Sequence, residues 1–175
     1  MTFDRIYQPY SGLYEEKQFD IETEWKEQVW TWIKFSLDDF SEWCGCFRGE
    51  FQGCGLNSSS KQAIILTSLA FYKIDCENKS LLKTEENIQF NQLTITPDSN
   101  YFVVGYFNKI ELMDWDFNFQ SIDSPIEMDM ITFKNWEENN LNFTCYELLN
   151  WDWDRHLLCQ FSYNNNHIRI INETN

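Results

Sequence analysis

The chain has 175 residues, and thirteen Lys and Arg stand against twenty-eight Asp and Glu for a formal net charge of −15. A surface so acidic repels phosphate backbones and anionic headgroups, so no direct binding to nucleic acid or to a membrane surface is expected. With 43% hydrophobic and 18% aromatic residues, the composition is that of a folded chain of single-domain length, not of a disordered one.

The opening Met1-Thr2-Phe3-Asp4-Arg5-Ile6-Tyr7 has no basic region leading into an apolar stretch, so no secretory signal is expected. The longest apolar runs, Ala63-Ile64-Ile65-Leu66 and Tyr101-Phe102-Val103-Val104, are strand-sized and far below the roughly 20 residues that span a bilayer. A cytoplasmic protein is the expectation. The six cysteines, Cys44, Cys46, Cys54, Cys76, Cys145 and Cys159, then read as free thiols in a reducing compartment.

Residues 1–40 read as an N-terminal arm and 41–175 as a β-rich body of the same domain. In the arm, apolar side chains at Ile21, Trp25, Val29, Trp32 and Ile33 fit one face of a short helix. Trp30, Trp32, Phe35 and Leu37 fit strand alternation as well, and both readings stand at this point. From Trp43 onward, β-branched and aromatic runs are separated by Gly, Asn, Asp, Ser and Pro, the pattern of antiparallel strands and tight turns. Ser58-Ser59-Ser60-Lys61 and Pro97-Asp98-Ser99-Asn100 are turn chemistry, and Asn164-Asn165-Asn166 predicts a final hairpin.

These turns expose a repeat. Leu56–Ile65 lies 39 residues before Ile95–Val104, and each stretch runs on into a second strand that ends in Asp, Asp75 or Asp114. Glu111-Leu112-Met113-Asp114-Trp115-Asp116 recurs after 36 residues as Glu147-Leu148-Leu149-Asn150-Trp151-Asp152. The segment Ile95–Asp114 resembles the middle strands of a β-propeller blade, where a Ser-Pro-Asp-Gly-like turn precedes two apolar strands. Three units of about 40 residues are too few to close a ring. The predicted fold class is therefore mainly β: antiparallel β meanders in a curved open sheet or sandwich, with the arm available to cover an edge.

Few residues point to chemistry. Cys44-Gly45-Cys46 with Cys54 offers zinc-type ligands, but strand spacing replaces the usual two-residue knuckle, and no metal or cofactor is expected. Carboxylate pairs at Asp38-Asp39, Glu85-Glu86 and Glu137-Glu138 read as solvated surface, since successive strand residues point to opposite faces. No glycine-rich phosphate loop occurs, and no catalytic residue is assigned. The candidate binding residues are Asp114, Trp115, Asp116, Trp151, Asp152, Trp153 and Asp154, where rings beside carboxylates could anchor a partner and steer a basic one. The same alternation also describes ordinary half-buried sheet with the Trp side chains inside.

Small size, strong acidity, aromatic β meanders and the absence of a catalytic signature resemble the immunity proteins of bacterial toxin systems. The Trp43-Cys44-Gly45-Cys46-Phe47-Arg48-Gly49 start of the β region accompanies that resemblance. It implies an acidic inhibitor, not an enzyme, that occludes a basic toxin or effector. A nucleic-acid mimic directed at a nuclease or DNA-binding protein, and a propeller-like interaction scaffold, are the alternative expectations.

Overall fold

The computed structural model describes residues 1–22, 29–149 and 152–173, with backbone alone at 149 and 152–154. These residues form strands and turns with no helix. The chain divides into two compact units, residues 1–88 and 89–175.

In the first unit, β1 (Thr2–Ile6), β2 (Glu15–Phe19), β3 (Trp30–Ser36) and β4 (Glu42–Arg48) make a sheet of order β1-β3-β4-β2. The segment expected as an arm thus contributes three of its four strands. β2 runs parallel to β4, while the other two pairings are antiparallel. The heart of the helical spacing, residues 23–28, lies outside the described residues, and its C-terminal part belongs to β3. That strand alternates: Thr31, Ile33 and Phe35 are buried, while Trp30, Trp32 and Lys34 on the other face are half-buried.

A second layer follows as β5 (Phe51–Asn57), β6 (Gln62–Thr67), β7 (Ala70–Asp75) and β8 (Ser80–Glu86), each strand antiparallel to the next. Ile33, Phe35, Trp43 and Phe47 from the first layer share one core with Ala63, Ile65, Tyr72 and Ile74 from the second. Phe35 stacks on Trp43 at 4.6 Å and Phe47 meets Tyr72 edge-on at 5.2 Å, geometries worth about 0.5–1.5 kcal/mol each beyond area burial. The layers are joined at Gly49, whose φ of 104° belongs to glycine. A Cβ there would meet Thr67 Oγ1 at 2.7 Å. That hydroxyl, fully buried, donates to Arg48 O at 2.9 Å and accepts from the Leu69 and Ala70 N–H groups at 3.2 Å each.

The second unit begins with β9 (Gln92–Ile95), β10 (Phe102–Gly105), β11 (Ile110–Met113) and β12 (Phe119–Ser121), paired antiparallel in sequence order. β13 (Met128–Glu137), β14 (Asn140–Leu149), β15 (Asp152–Ser162) and β16 (His167–Glu173) form another antiparallel meander. Val103, Ile110 and Leu112 pack with Leu141, Phe143, Leu157, Phe161 and Ile168 in its core. Both units are therefore layered sheets, and the body contains three consecutive four-stranded meanders.

The 39-residue repeat maps onto equivalent turns. Leu56–Ile65 spans the β5–β6 hairpin and Ile95–Val104 the β9–β10 hairpin. Asp75 accepts the N–H groups of Glu77 and Asn78 at 3.0 and 2.8 Å. Asp114 accepts those of Asp116 and Asn118 at 2.8 and 2.9 Å. Each also holds an Asn side-chain amide, at 2.7 and 2.8 Å respectively. Left-handed residues close these turns, Lys79 at φ 53° and Phe117 at φ 64°, and Asn166 at φ 51° does so in the last hairpin.

Candidate functional site

The first predicted cluster sits in the turn between β11 and β12. Asp114 caps that turn, and Trp115 folds back over it. The indole N–H donates to Ser99 O at 3.0 Å, and the ring meets Phe102 edge-on at 4.7 Å. Asp116 is exposed. Trp151 lies outside the described residues. Asp152, Trp153 and Asp154 lie in β15, with Asp152 opposite Leu149 and Trp153 opposite Leu148, and their side chains are outside the described set. Ring and carboxylate adjacency at 114–115 thus arises from turn construction: one residue bonds the backbone and its neighbour packs.

At the other end of β11 the structure presents apolar side chains that the sequence reading did not single out. The β10–β11 turn, closed by Tyr106 N donating to Lys109 O at 3.1 Å, leaves Phe107 65% exposed. Next to it, β13 breaks register between Asp129 and Thr132, and Met130 takes φ 50° and is 46% exposed. A bulge re-aims a side chain and frees backbone groups from the ladder. Here backbone groups at and next to the break are paired elsewhere. Ile131 N donates to Phe107 O at 3.1 Å, Gln92 Nε2 donates to Ile131 O at 2.7 Å, and Phe133 N donates to Gln92 Oε1 at 2.6 Å. Asp129 accepts Met130 N at 2.9 Å, and exposed Glu127 lies nearby along the chain. The result is two exposed apolar residues on segments joined by a backbone bond, in a unit whose sequence holds thirteen Asp and Glu against four Lys and Arg.

A cleft of about 1000 Å³ lies on the first sheet, lined among others by Ile6, Gln18, Trp32 and Cys46. These four form one row across the sheet, since Ile6 pairs with Trp32, Trp32 with Cys46, and Cys46 with Gln18. By alternation the row is on the face turned away from the core. Trp30 also lines the cleft, and the Arg48 guanidinium lies 4.3 Å from its ring centroid. Arg48 is in turn held by a bidentate pair with Asp20, with Nη2 2.6 Å from Oδ2. The Arg48 guanidinium above all, with the Ile21 N–H assisting, holds the Asp20 carboxyl below its ordinary value of 3.8 against the effect of burial.

Cys44 and Cys46 share this outer face, whereas Cys54 packs against the core, so the three thiols do not converge. Burial above all pushes Cys44 up to about 11 and Cys46 to about 12, which makes both poor nucleophiles and poor metal ligands at neutral pH. Among the described residues, no three His, Cys, Asp or Glu side chains gather as a metal-binding group.

The fold places the chain in the all-β class, with antiparallel meanders and one mixed four-stranded sheet. Comparison with protein families and with curated proteins finds no match to it.

Proposed function

We propose that the chain is an acidic binding protein that docks on a basic protein and occludes it, in the manner of an immunity-type inhibitor of a toxin or effector. The observation that carries this reading is the Phe107–Met130 pair, exposed from a turn and a hydrogen-bonded bulge within a strongly acidic unit. Isolated exposed apolar residues are ordinary. A neighbouring pair held by a left-handed backbone at Met130 is a costlier arrangement, of the kind that clusters at functional positions. Apolar anchors at an interface centre supply affinity, while flanking carboxylates raise the encounter rate with a basic partner. Such a mechanism needs no turnover.

The test compares partner capture by the native chain, Phe107→Ala and Met130→Ala from cytoplasm of the native host, with the captured proteins identified and their binding measured in purified form. The expected result is a basic protein bound stoichiometrically and weakened by more than about 2 kcal/mol in one of the variants. Loss of the partner's activity on binding completes the inhibitor reading. Partners that bind both variants as tightly as the native chain would remove this patch from the mechanism.

A further inference from the structure

We propose that the cleft on the first sheet is a binding site for a neutral oligosaccharide. The proposal rests on which groups line the cleft and on what already engages them. The floor is the row Ile6, Trp32, Cys46 and Gln18, with Trp30 beside it. Two indoles at alternate positions of β3 stand on the same face, and both remain half-buried, not covered. The Arg48 guanidinium, fixed by Asp20, holds the Trp30 ring in place, so this part of the floor is set before any ligand arrives. Preorganisation of this kind lowers the ordering cost of binding.

The polar lining decides the ligand class. Gln8, Glu16 and Gln18 line the cleft and make no side-chain hydrogen bond to the described residues. An amide both donates and accepts, and a carboxylate accepts. Arg5 and Lys17 at its edge are already engaged, Arg5 over the Phe51 ring at 5.1 Å and Lys17 with Glu15 at 3.2 Å, so the amides are the main donors. Sugar hydroxyls donate and accept at once, so they match a mixture of this kind, while the C–H faces of a pyranose supply apolar area for the indoles. A purely apolar ligand would strip water from Gln8, Glu16 and Gln18 without replacing its hydrogen bonds, which is unfavourable. A charged ligand finds no field of one sign. Among the described residues lining the cleft, Glu16 is the one exposed carboxylate, Lys17 is paired with Glu15 at 3.2 Å, Arg48 is paired with Asp20, and Lys34 on the same face is paired with Asp4 at 3.6 Å and Glu42 at 3.1 Å. The volume, about 1000 Å³, lies at the upper end of small-molecule sites, roughly 300–1,000 Å³, which suits a few sugar rings better than one.

The experiment titrates the full chain with neutral oligosaccharides of the gluco, galacto, manno and N-acetylated series, read by saturation-transfer NMR and tryptophan fluorescence. Uronate-containing and sulfated oligosaccharides run in parallel. The expected result is saturable binding of at least one neutral series at micromolar to millimolar concentration, weakened about tenfold or more by Gln18→Ala and by Trp32→Ala. Gln18 is exposed, so its variant keeps the fold and separates loss of binding from loss of structure, and circular dichroism checks both proteins. No saturable binding at about 10 mM overturns the proposal. So does a preference for the anionic sugars, or binding that neither variant weakens. Phe107→Ala, which acts on the protein-docking patch, leaves sugar binding unchanged, so the two proposals fail independently.

Discussion

Gln92→Met is the most informative single change in the second unit, because it keeps the side chain's length and removes only the amide. In the native protein that amide forms two short hydrogen bonds to the β13 backbone, to Ile131 O at 2.7 Å and from Phe133 N at 2.6 Å. Ile131 falls within the register break, and Phe133, though in register with Phe143, gives its N–H to Gln92. A net contribution of about 0.5–1.5 kcal/mol per bond, raised where a partly buried backbone group is left unpaired, gives a loss of roughly 2 kcal/mol. For a cooperative unit of this size that corresponds to a drop in Tm of about 10 °C. Urea unfolding followed by tryptophan fluorescence measures the stability change, and native-state hydrogen exchange measures protection of the Phe133 amide, which should fall most. The variant should also weaken partner binding, since the bulge that aims Met130 outward loses its brace. An unchanged Phe133 exchange rate together with a stability loss below about 0.5 kcal/mol would refute the reasoning.

Other perturbations test other parts of the structure. Trp115→Ala should cost about 2–3 kcal/mol, because a half-buried ring and its bond to Ser99 O are lost. The folded fraction should bind a partner as the native chain does, and a selective binding defect would instead make the turn a partner anchor. The native thiols of Cys44, Cys46 and Cys76, all buried and pushed up by burial to about 11, 12 and 12, should react with a disulfide reagent at pH 8 only as fast as the protein opens. Fast labelling of any of them in the folded state would contradict their placement. For Asp20 the folded value is depressed, so its pairing with Arg48 stabilises fully above the unfolded value, near 3.8, and that stabilisation is lost as pH falls through the lower folded value. The Tm difference between the native chain and Asp20→Asn should therefore be constant from neutral pH to about pH 5 and shrink in more acid solution. A difference that vanishes near neutrality would point to another titrating group.

Much of the strand pattern was open to reading from the chain, since local chemistry dictates it. Ala63–Leu66 and Phe102–Val104 are apolar runs that become β6 and β10, and the Asn, Asp and Ser positions between strands become the capped turns. Faces were harder to read. Trp30 and Trp32 look like core residues by hydrophobicity, yet Thr31, Ile33 and Phe35 take the inner face of β3, because Phe35 must meet Trp43. At 114–116 the ring and carboxylates are plain in the chain, whereas the Asp114 bonds to the turn backbone and the Trp115 bond to Ser99 O appear only in the fold. The Met130 bulge had no local sign at all. Met128-Asp129-Met130 alternates like any strand, and the side chain that permits the break, Gln92, stands 41 positions before its partner Phe133. A contact of that range is made by the fold and is invisible to any window of adjacent residues.

The two surfaces differ in physical character, and salt separates them. Attraction between an acidic unit and a basic protein acts over about a Debye length, roughly 10 Å at 0.1 M salt and 3 Å at 1 M. Association through the Phe107–Met130 patch should therefore slow markedly as salt rises, while dissociation, set by the apolar anchors, changes less. Binding of an uncharged sugar has no long-range term, and its affinity should stay nearly flat over the same range. Rate measurements at low and high salt on one protein preparation thus test both assignments together. A sugar affinity that collapses with salt would mean that the cleft takes an anionic ligand. A protein association rate insensitive to salt would mean that the acidity of residues 89–175 serves solubility and that the patch binds by apolar contact alone.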